Sequence, residues 1–114
     1  MSGNQVEFIP LLELKFDSYG VNVRGEVGLQ RPAFPRNDRS KGYAMRFSMT
    51  DPDTENKRWV YLTAPKVSDF PVMKRGYVLE LTNANFTYEE ENGWEIRASY
   101  SMGCTWSACP GEFN

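Results

Sequence analysis

Apolar and polar residues alternate along most of the chain, with the two-residue period of strands that are buried on one face. Each alternating run is short and is bounded by glycine, proline, asparagine or aspartate, which favour turns. No window has the longer period of an amphipathic helix, so the chain is predicted to be all-β. Five strands are predicted in this way, over residues 21–29, 43–50, 57–63, 77 to 86 or 88, and 94–100.

The segments outside the predicted strands differ in character. Residues 30–42 form a long loop with two prolines, and loops of this length are commonly functional. Residues 64–76 are predicted as an irregular crossover that could hold one helical turn, and residues 89–93 as a hairpin loop. Residues 1–20 are a lead-in, which packs on the core as a short strand or a single helical turn. Residues 101–114 are predicted as an irregular surface extension.

The length and composition limit the class of protein. At 114 residues and 13.1 kDa, the chain is predicted to form one domain over residues 1–114, with its core at about 21–100. It has no histidine and only two cysteines, Cys104 and Cys109, so a zinc site of four nitrogen and sulfur ligands cannot be built. Triads that rest on histidine are excluded too, and no motif supports catalysis by lysine or carboxylate. We therefore expect a binding module, with neither catalytic activity nor a cofactor.

The sequence also bears on the expected compartment. No apolar run approaches the roughly 18 residues of a membrane-spanning helix. The first residues lack the basic and apolar segments of a secretory signal. We expect an intracellular protein, in the cytoplasm or nucleus, or in the host cytoplasm if the source is viral. In a reducing compartment Cys104 and Cys109 stay free thiols, although their spacing permits a disulfide.

Charge is unevenly distributed along a chain whose formal net charge is −2. Residues 31–46 hold five lysines and arginines against one aspartate, whereas the other 98 residues hold 8 basic and 14 acidic side chains. A basic segment on an acidic body directs anions to one place, which a uniform distribution would not do. The alternative interpretation is an ordinary solvated loop.

The order of the elements is strand, long loop, hairpin, crossover and hairpin. It resembles the OB-fold, a five-stranded and partly open Greek-key barrel. Three segments strengthen the likeness: a first strand at 21–27 whose Gly25 allows a bulge or sharp coiling, the sequence FSMTD at 47–51, and the sequence MKRGYVLEL at 73–81. Tyr77 stands where most relatives have an aspartate. The likeness covers about residues 21–100 and is to single-stranded nucleic-acid-binding proteins of the replication protein A, telomere-end-binding and small phage types.

The resemblance implies a binding face. In proteins of this fold the ligand crosses the second and third strands, between the first-to-second and fourth-to-fifth loops. The first of these loops corresponds here to residues 30–42, which hold most of the basic residues just counted and are called the basic loop below. If Val60 and Leu62 face the core, Trp59 and Tyr61 point outward, with Arg46 beside them. A shift by one residue would reverse the two faces, so both registers stay open at this point. In the outward register, Trp59 and Tyr61 either bind the ligand or cover a second small core under the tail or the lead-in.

Single-stranded nucleic acid requires a positive track for its phosphates and flat π surfaces for its bases. Phe34, inside the basic loop, either stacks on a base or pins the loop to the barrel. The acidic run 89–91 counts against this interpretation, because carboxylates beside a ligand path repel phosphate; otherwise it is a solvated turn. The predicted nucleic-acid-binding residues are Arg31, Phe34, Arg36, Arg39, Lys41, Arg46, Trp59 and Tyr61.

The predicted function is largely sequence-independent binding of single-stranded DNA, as in DNA replication, with RNA as a further ligand and no role at a membrane. A protein partner or a second copy of the chain is a further expected partner. One rival is an OB domain that serves as a protein-interaction subunit, which the acidic isoelectric point of about 5.2 favours. Another is an inhibitor or host-interaction protein of a mobile element, which would also be small and non-catalytic.

Overall fold

The computed structural model describes residues 7–36, 42–51, 55–90 and 93–110, and most of these residues lie in strands. Seven strands follow one another along the chain: β1 (Ser18–Gln30), β2 (Phe34–Pro35), β3 (Tyr43–Thr50), β4 (Lys57–Ala64), β5 (Val78–Glu89), β6 (Gly93–Ser99) and β7 (Thr105–Cys109). Helical structure in these ranges is limited to three 3-10 turns, Leu11–Glu13, Val67–Asp69 and Tyr100–Met102. The first is a helical turn in the lead-in, and the second lies in the predicted crossover. Within the described ranges, no helix is long and apolar enough to cross a membrane.

Five of the strands close into a barrel. Neighbouring strands follow the order β1, β3, β4, β6, β5, and β5 pairs again with β1, which completes the circle. These pairs are antiparallel, except that β4 and β6 run parallel. The arrangement is that of the OB-fold, and it confirms the predicted all-β class and fold. β3 and β4 are the second and third barrel strands, because β2 is a two-residue addition that pairs with β3.

Alternating side chains of the barrel strands fill its interior. In β3 and β4, the side chains of Phe47, Met49, Val60 and Leu62 are at most 1% exposed. Burying a side chain of this size stabilises the fold by roughly 1.5–3 kcal/mol. Successive side chains of a strand point to opposite faces, so this burial turns the intervening side chains of β4 outward. The first of the two predicted registers is therefore the one that forms.

The prediction of an irregular tail was wrong, because the tail contains β7. This strand pairs with the first part of β5, from Val78 to Thr82, whose other side pairs with β1. β6 pairs only with the later part of β5, so β7 covers an edge that would otherwise be bare. Trp106 anchors β7: its Nε1 donates to the carbonyl oxygen of Asp69 at 2.9 Å, and its ring stacks on Phe70.

Cys104 and Cys109 are both free, as predicted. Cys104 is buried, and its Sγ donates to the carbonyl oxygen of Asn83 at 2.8 Å. The same sulfur accepts a hydrogen bond from the backbone nitrogen of Ser99 at 3.3 Å. Cys104 therefore links the end of β6 to β5, whereas Cys109 is exposed on β7.

β1 approaches β3 closely at Gly25. A Cβ atom at this position would lie 2.5 Å from Met49 Cγ and 2.9 Å from the carbonyl oxygen of Thr50. We expect Gly25→Ala to lower the free energy of unfolding by about 1–3 kcal/mol, because overpacking forces the backbone to shift. Urea denaturation measures the loss.

Gly28→Ala is the matched control for this substitution in the same strand. Its nearest contact would be the hydroxyl of Ser48, the end of a side chain that can rotate away. The loss of stability should therefore be smaller than at Gly25. Equal losses in the two variants would contradict the argument that contact with the β3 backbone is what requires glycine at 25.

Candidate functional site

The outward faces of β3, β4 and β6 carry a row of three side chains that lie side by side. Arg46 of β3 pairs across the sheet with Tyr61 of β4, and Tyr61 pairs with Arg97 of β6. The guanidinium carbons of Arg46 and Arg97 lie 4.3 Å and 4.6 Å from the centre of the Tyr61 ring. Each contact is a cation–π interaction. We call these three residues the arginine–tyrosine row.

This arrangement covers the ring of Tyr61, which the sequence analysis assigned to nucleic-acid binding. Its side chain points outward, as expected, but the residue is only 8% exposed. Both neighbouring strands place a guanidinium group against the ring, so the ring is not open to an incoming base. Arg46 lies beside the aromatic residues, as predicted, and it contributes to covering one of them.

A buried carboxylate holds the two arginines of the row in place. Glu95 is 1% exposed, with its oxygens 3.6 Å from Arg46 Nε and 3.8 Å from Arg97 Nε. Burial raises the pKa of Glu95, and the positive charges of Arg46 and Arg97 offset part of that rise. The sequence analysis missed Glu95 and Arg97, although they alternate with the apolar residues of the last predicted strand.

The acidic run at the fourth-to-fifth loop is partly neutralised. Glu89 Oε2 accepts a hydrogen bond from Arg97 Nη1 at 2.7 Å, in an ion pair whose two side chains are about one third exposed. Glu90 is exposed, and Glu91 lies outside the described residues. Arg46 and Arg97 are thus matched by Glu95 and Glu89, so the row carries no excess positive charge.

Trp59 is the open aromatic surface on this face. It lies on β4 two residues before Tyr61, paired with Ser48 on one side and Glu95 on the other. It is 53% exposed, in contrast to Tyr61. The geometry therefore leaves Trp59, of the two predicted aromatic residues, available for stacking.

The described part of the basic loop adds positive charge at the other end of the face. Arg31 is exposed and Arg36 is half-buried, and neither has an ion-pair partner among the described residues. β2 joins the loop to β3 through the pairing of Phe34 with Ala44, while the Phe34 side chain stays 38% exposed. The predicted residues Arg39 and Lys41 lie outside the described ranges.

Arg36 lies where two cavities adjoin, one of about 590 Å³ and the other of about 710 Å³. Thr63, Ser99 and Met102 also line both cavities. The smaller one reaches Tyr61 and Arg97 of the arginine–tyrosine row. A groove therefore runs from the row past Arg36 to the Tyr100–Met102 turn. Within the described ranges, no three acidic or cysteine side chains come together as a group that could hold a metal ion.

Solved structures share this architecture. The solution NMR structure of the OB domain of Ta0387 from Thermoplasma acidophilum matches with a TM-score of 0.66 and 10% identity, over 94% of this chain and 91% of that chain. The crystal structure of the p204 HINb domain matches with a TM-score of 0.61 and 15% identity, over 90% of this chain and 47% of that chain. No family model and no curated protein matches the sequence. At these identities the likeness shows the fold alone, and that fold is the OB-fold.

The raised pKa of Glu95 predicts a pH dependence of stability. The folded protein holds the proton of this carboxyl more tightly than the unfolded chain does. Its contribution to stability is therefore fully present below the ordinary pKa of 4.5 and is lost as the pH rises through the raised value. Glu95→Gln removes this titration, so the free energy of unfolding of the wild type minus that of the variant should fall with rising pH.

Urea denaturation at a series of pH values measures this difference. Glu90→Gln is the control, because it removes the same charge from an exposed position and should leave the wild-type pH profile unchanged. A difference between the wild type and Glu95→Gln that stays constant across the series would contradict the assigned environment of Glu95.

Proposed function

We propose that this OB domain binds single-stranded nucleic acid, DNA in the first place, without catalysing a reaction. The observation that carries the proposal is the open Trp59 ring on the second and third barrel strands, the face through which OB-folds bind oligonucleotides. Stacking of a base on an aromatic ring contributes about 1–3 kcal/mol and tolerates every base. Binding is therefore largely independent of sequence.

The phosphates need a separate source of positive charge. The arginine–tyrosine row does not supply it, because Glu95 and Glu89 match its two arginines. Arg31 and Arg36 stand outside these ion pairs and are assigned to the phosphates, with Arg39 and Lys41 as further candidates from the sequence. The row serves instead as a surface without excess charge, which the strand crosses beside Trp59.

The acidic loop limits the path of the strand. Glu90 is exposed at the fourth-to-fifth loop and has no ion-pair partner among the described residues, so its carboxylate repels phosphate. At the other end of the face, the groove at Arg36 offers positive charge and space. The strand is therefore expected to leave Trp59 towards Arg36.

A protein-interaction subunit is the second candidate function, and a specific surface favours it. Phe16 is 65% exposed and Tyr88 is 58% exposed, and both rings contact Trp94, at centroid distances of 4.1 Å and 5.4 Å. Contiguous exposed apolar rings mark interaction sites. This candidate would be favoured over the first if the wild type bound no single strand and if substitution of Phe16 abolished binding of a partner protein.

Replacement of Trp59 tests the stacking role. Trp59→Ala should weaken binding to a single strand by about 1–3 kcal/mol, because the variant lacks the surface on which a base stacks. Trp59→Phe is the matched control and should retain most of the affinity, since it keeps a ring. Fluorescence anisotropy measures the affinities, and thermal unfolding shows that both variants are folded. Equal affinity of the alanine variant and the wild type would contradict the assignment.

Salt dependence tests the loop arginines separately from stacking. Each phosphate contact contributes about −0.7 to the slope of log affinity against log salt for a single strand. The double variant Arg31→Ala with Arg36→Ala should therefore show a slope that is shallower by roughly 1.4. Lys66→Ala with Lys74→Ala is a control of equal charge, at exposed positions that lie outside the strands and do not line either cavity. An unchanged slope in the arginine variant would exclude these residues as phosphate contacts.

A further inference from the structure

The smaller cavity, of about 590 Å³, extends beyond the predicted face to the start of β1 and the middle of β5. Its volume lies within the roughly 300–1,000 Å³ of small-molecule sites. The lining residues used below are Tyr19, Gly20, Arg36, Asn83 and Asn85. We propose that this cavity, the Tyr19 groove, is a subsite for one nucleotide of the bound strand; the proposal rests on the proposed function and extends it.

Tyr19 offers the stacking surface of the subsite. It is 68% exposed, and its ring contacts no other aromatic ring and no cation in the described residues. An unpaired aromatic ring beside a cavity of nucleotide size is suited to stack on a base.

Two asparagine side chains in the groove supply groups that can recognise the edge of a base. Asn85 Oδ1 accepts a hydrogen bond from the backbone nitrogen of Gly20 at 3.1 Å, so the amide NH₂ remains to donate. The side chain of Asn83 makes no hydrogen bond among the described residues, which leaves both a donor and an acceptor.

The backbone of Asn83 is fixed on both sides. Its nitrogen donates to Asn22 Oδ1 at 3.0 Å, its carbonyl oxygen accepts from Cys104 Sγ, and its φ is +59°. Asparagine tolerates this left-handed conformation better than most residues. The backbone of Asn83, from which its side chain reaches the groove, is therefore held at a defined position.

The Tyr19 groove is continuous with the outward face that carries Trp59, so one nucleic-acid strand can contact both. Tyr61 and Arg97 of the arginine–tyrosine row line the groove, and so does Arg36. A strand that stacks on Trp59 can cross the row, place a phosphate near Arg36 and insert the next base at Tyr19. This path leads away from the acidic loop, at which Glu90 repels phosphate.

Tyr19→Ala tests the subsite. Affinity for a strand of about 12 nucleotides should fall about 5- to 100-fold, the effect of losing one stacked base. The salt slope should stay unchanged, because no charge is removed. Tyr19→Phe should behave as the wild type, and thermal unfolding checks that the variants are folded.

Tyr88→Ala is the matched control. It removes a tyrosine of similar exposure, 58% against 68% for Tyr19, at the fourth-to-fifth loop, and we expect no loss of affinity. A loss at Tyr88 with none at Tyr19 would overturn the proposal and place the strand over the acidic loop. Full affinity of Tyr19→Ala, in a protein whose Trp59→Ala variant is impaired, would overturn the subsite and leave the proposed function standing. A wild type that binds no single strand would overturn both.

Asn83→Gly separates recognition of a base edge from stacking. Glycine adopts the left-handed backbone conformation readily and removes only the amide. If Asn83 contacts a base, any difference in wild-type affinity among homopolymer strands of equal length should shrink in this variant. If the wild type binds one homopolymer more tightly than another and Asn83→Gly keeps the same ratio of affinities, Asn83 has no role in the subsite.

Discussion

The buried carboxylate of Glu95 determines which aromatic ring of the outward face is covered and which remains open. It lies within 3.8 Å of two arginine side chains, and those arginines flank the ring of Tyr61 from both neighbouring strands. A charge that is removed from water must be paired to be tolerated. The side chains of Arg46 and Arg97 are therefore held next to the carboxylate of Glu95. Tyr61 is covered as a consequence, and Trp59 becomes the aromatic residue that remains open.

The same pairing decides where a phosphate can bind. Because Glu95 and Glu89 already match the arginines of the row, the row offers a phosphate no excess positive charge, and the arginines of the basic loop without a described ion pair, Arg31 and Arg36, lie outside it. A strand that stacks on Trp59 and also reaches Arg36 crosses the row, and this is the physical reason for the proposed path towards Tyr19.

Much of the fold could be predicted from the sequence, since alternation places residues such as Val60 and Leu62 on one face and Trp59 on the other without knowledge of any partner strand, although burial in the structure was needed to show which face is the inner one. The features that were missed depend on neighbours that are distant in sequence. β7 is a strand only because β5 leaves an edge beside it. The burial of Tyr61 arises from Arg97, which the parallel pairing of β4 and β6 brings alongside. The Tyr19 groove likewise joins the start of β1 to the middle of β5, two regions that no local motif connects.

The central claim is that Trp59 and the groove receive bases that have no pairing partner. The most direct test is a titration of one labelled sequence of about 20 nucleotides, presented in parallel as a single strand and as a duplex, at several salt concentrations. The account predicts that the single strand binds more tightly at every salt concentration, because stacking on an aromatic ring requires an unstacked base. Binding of the duplex as tightly as the single strand would contradict it.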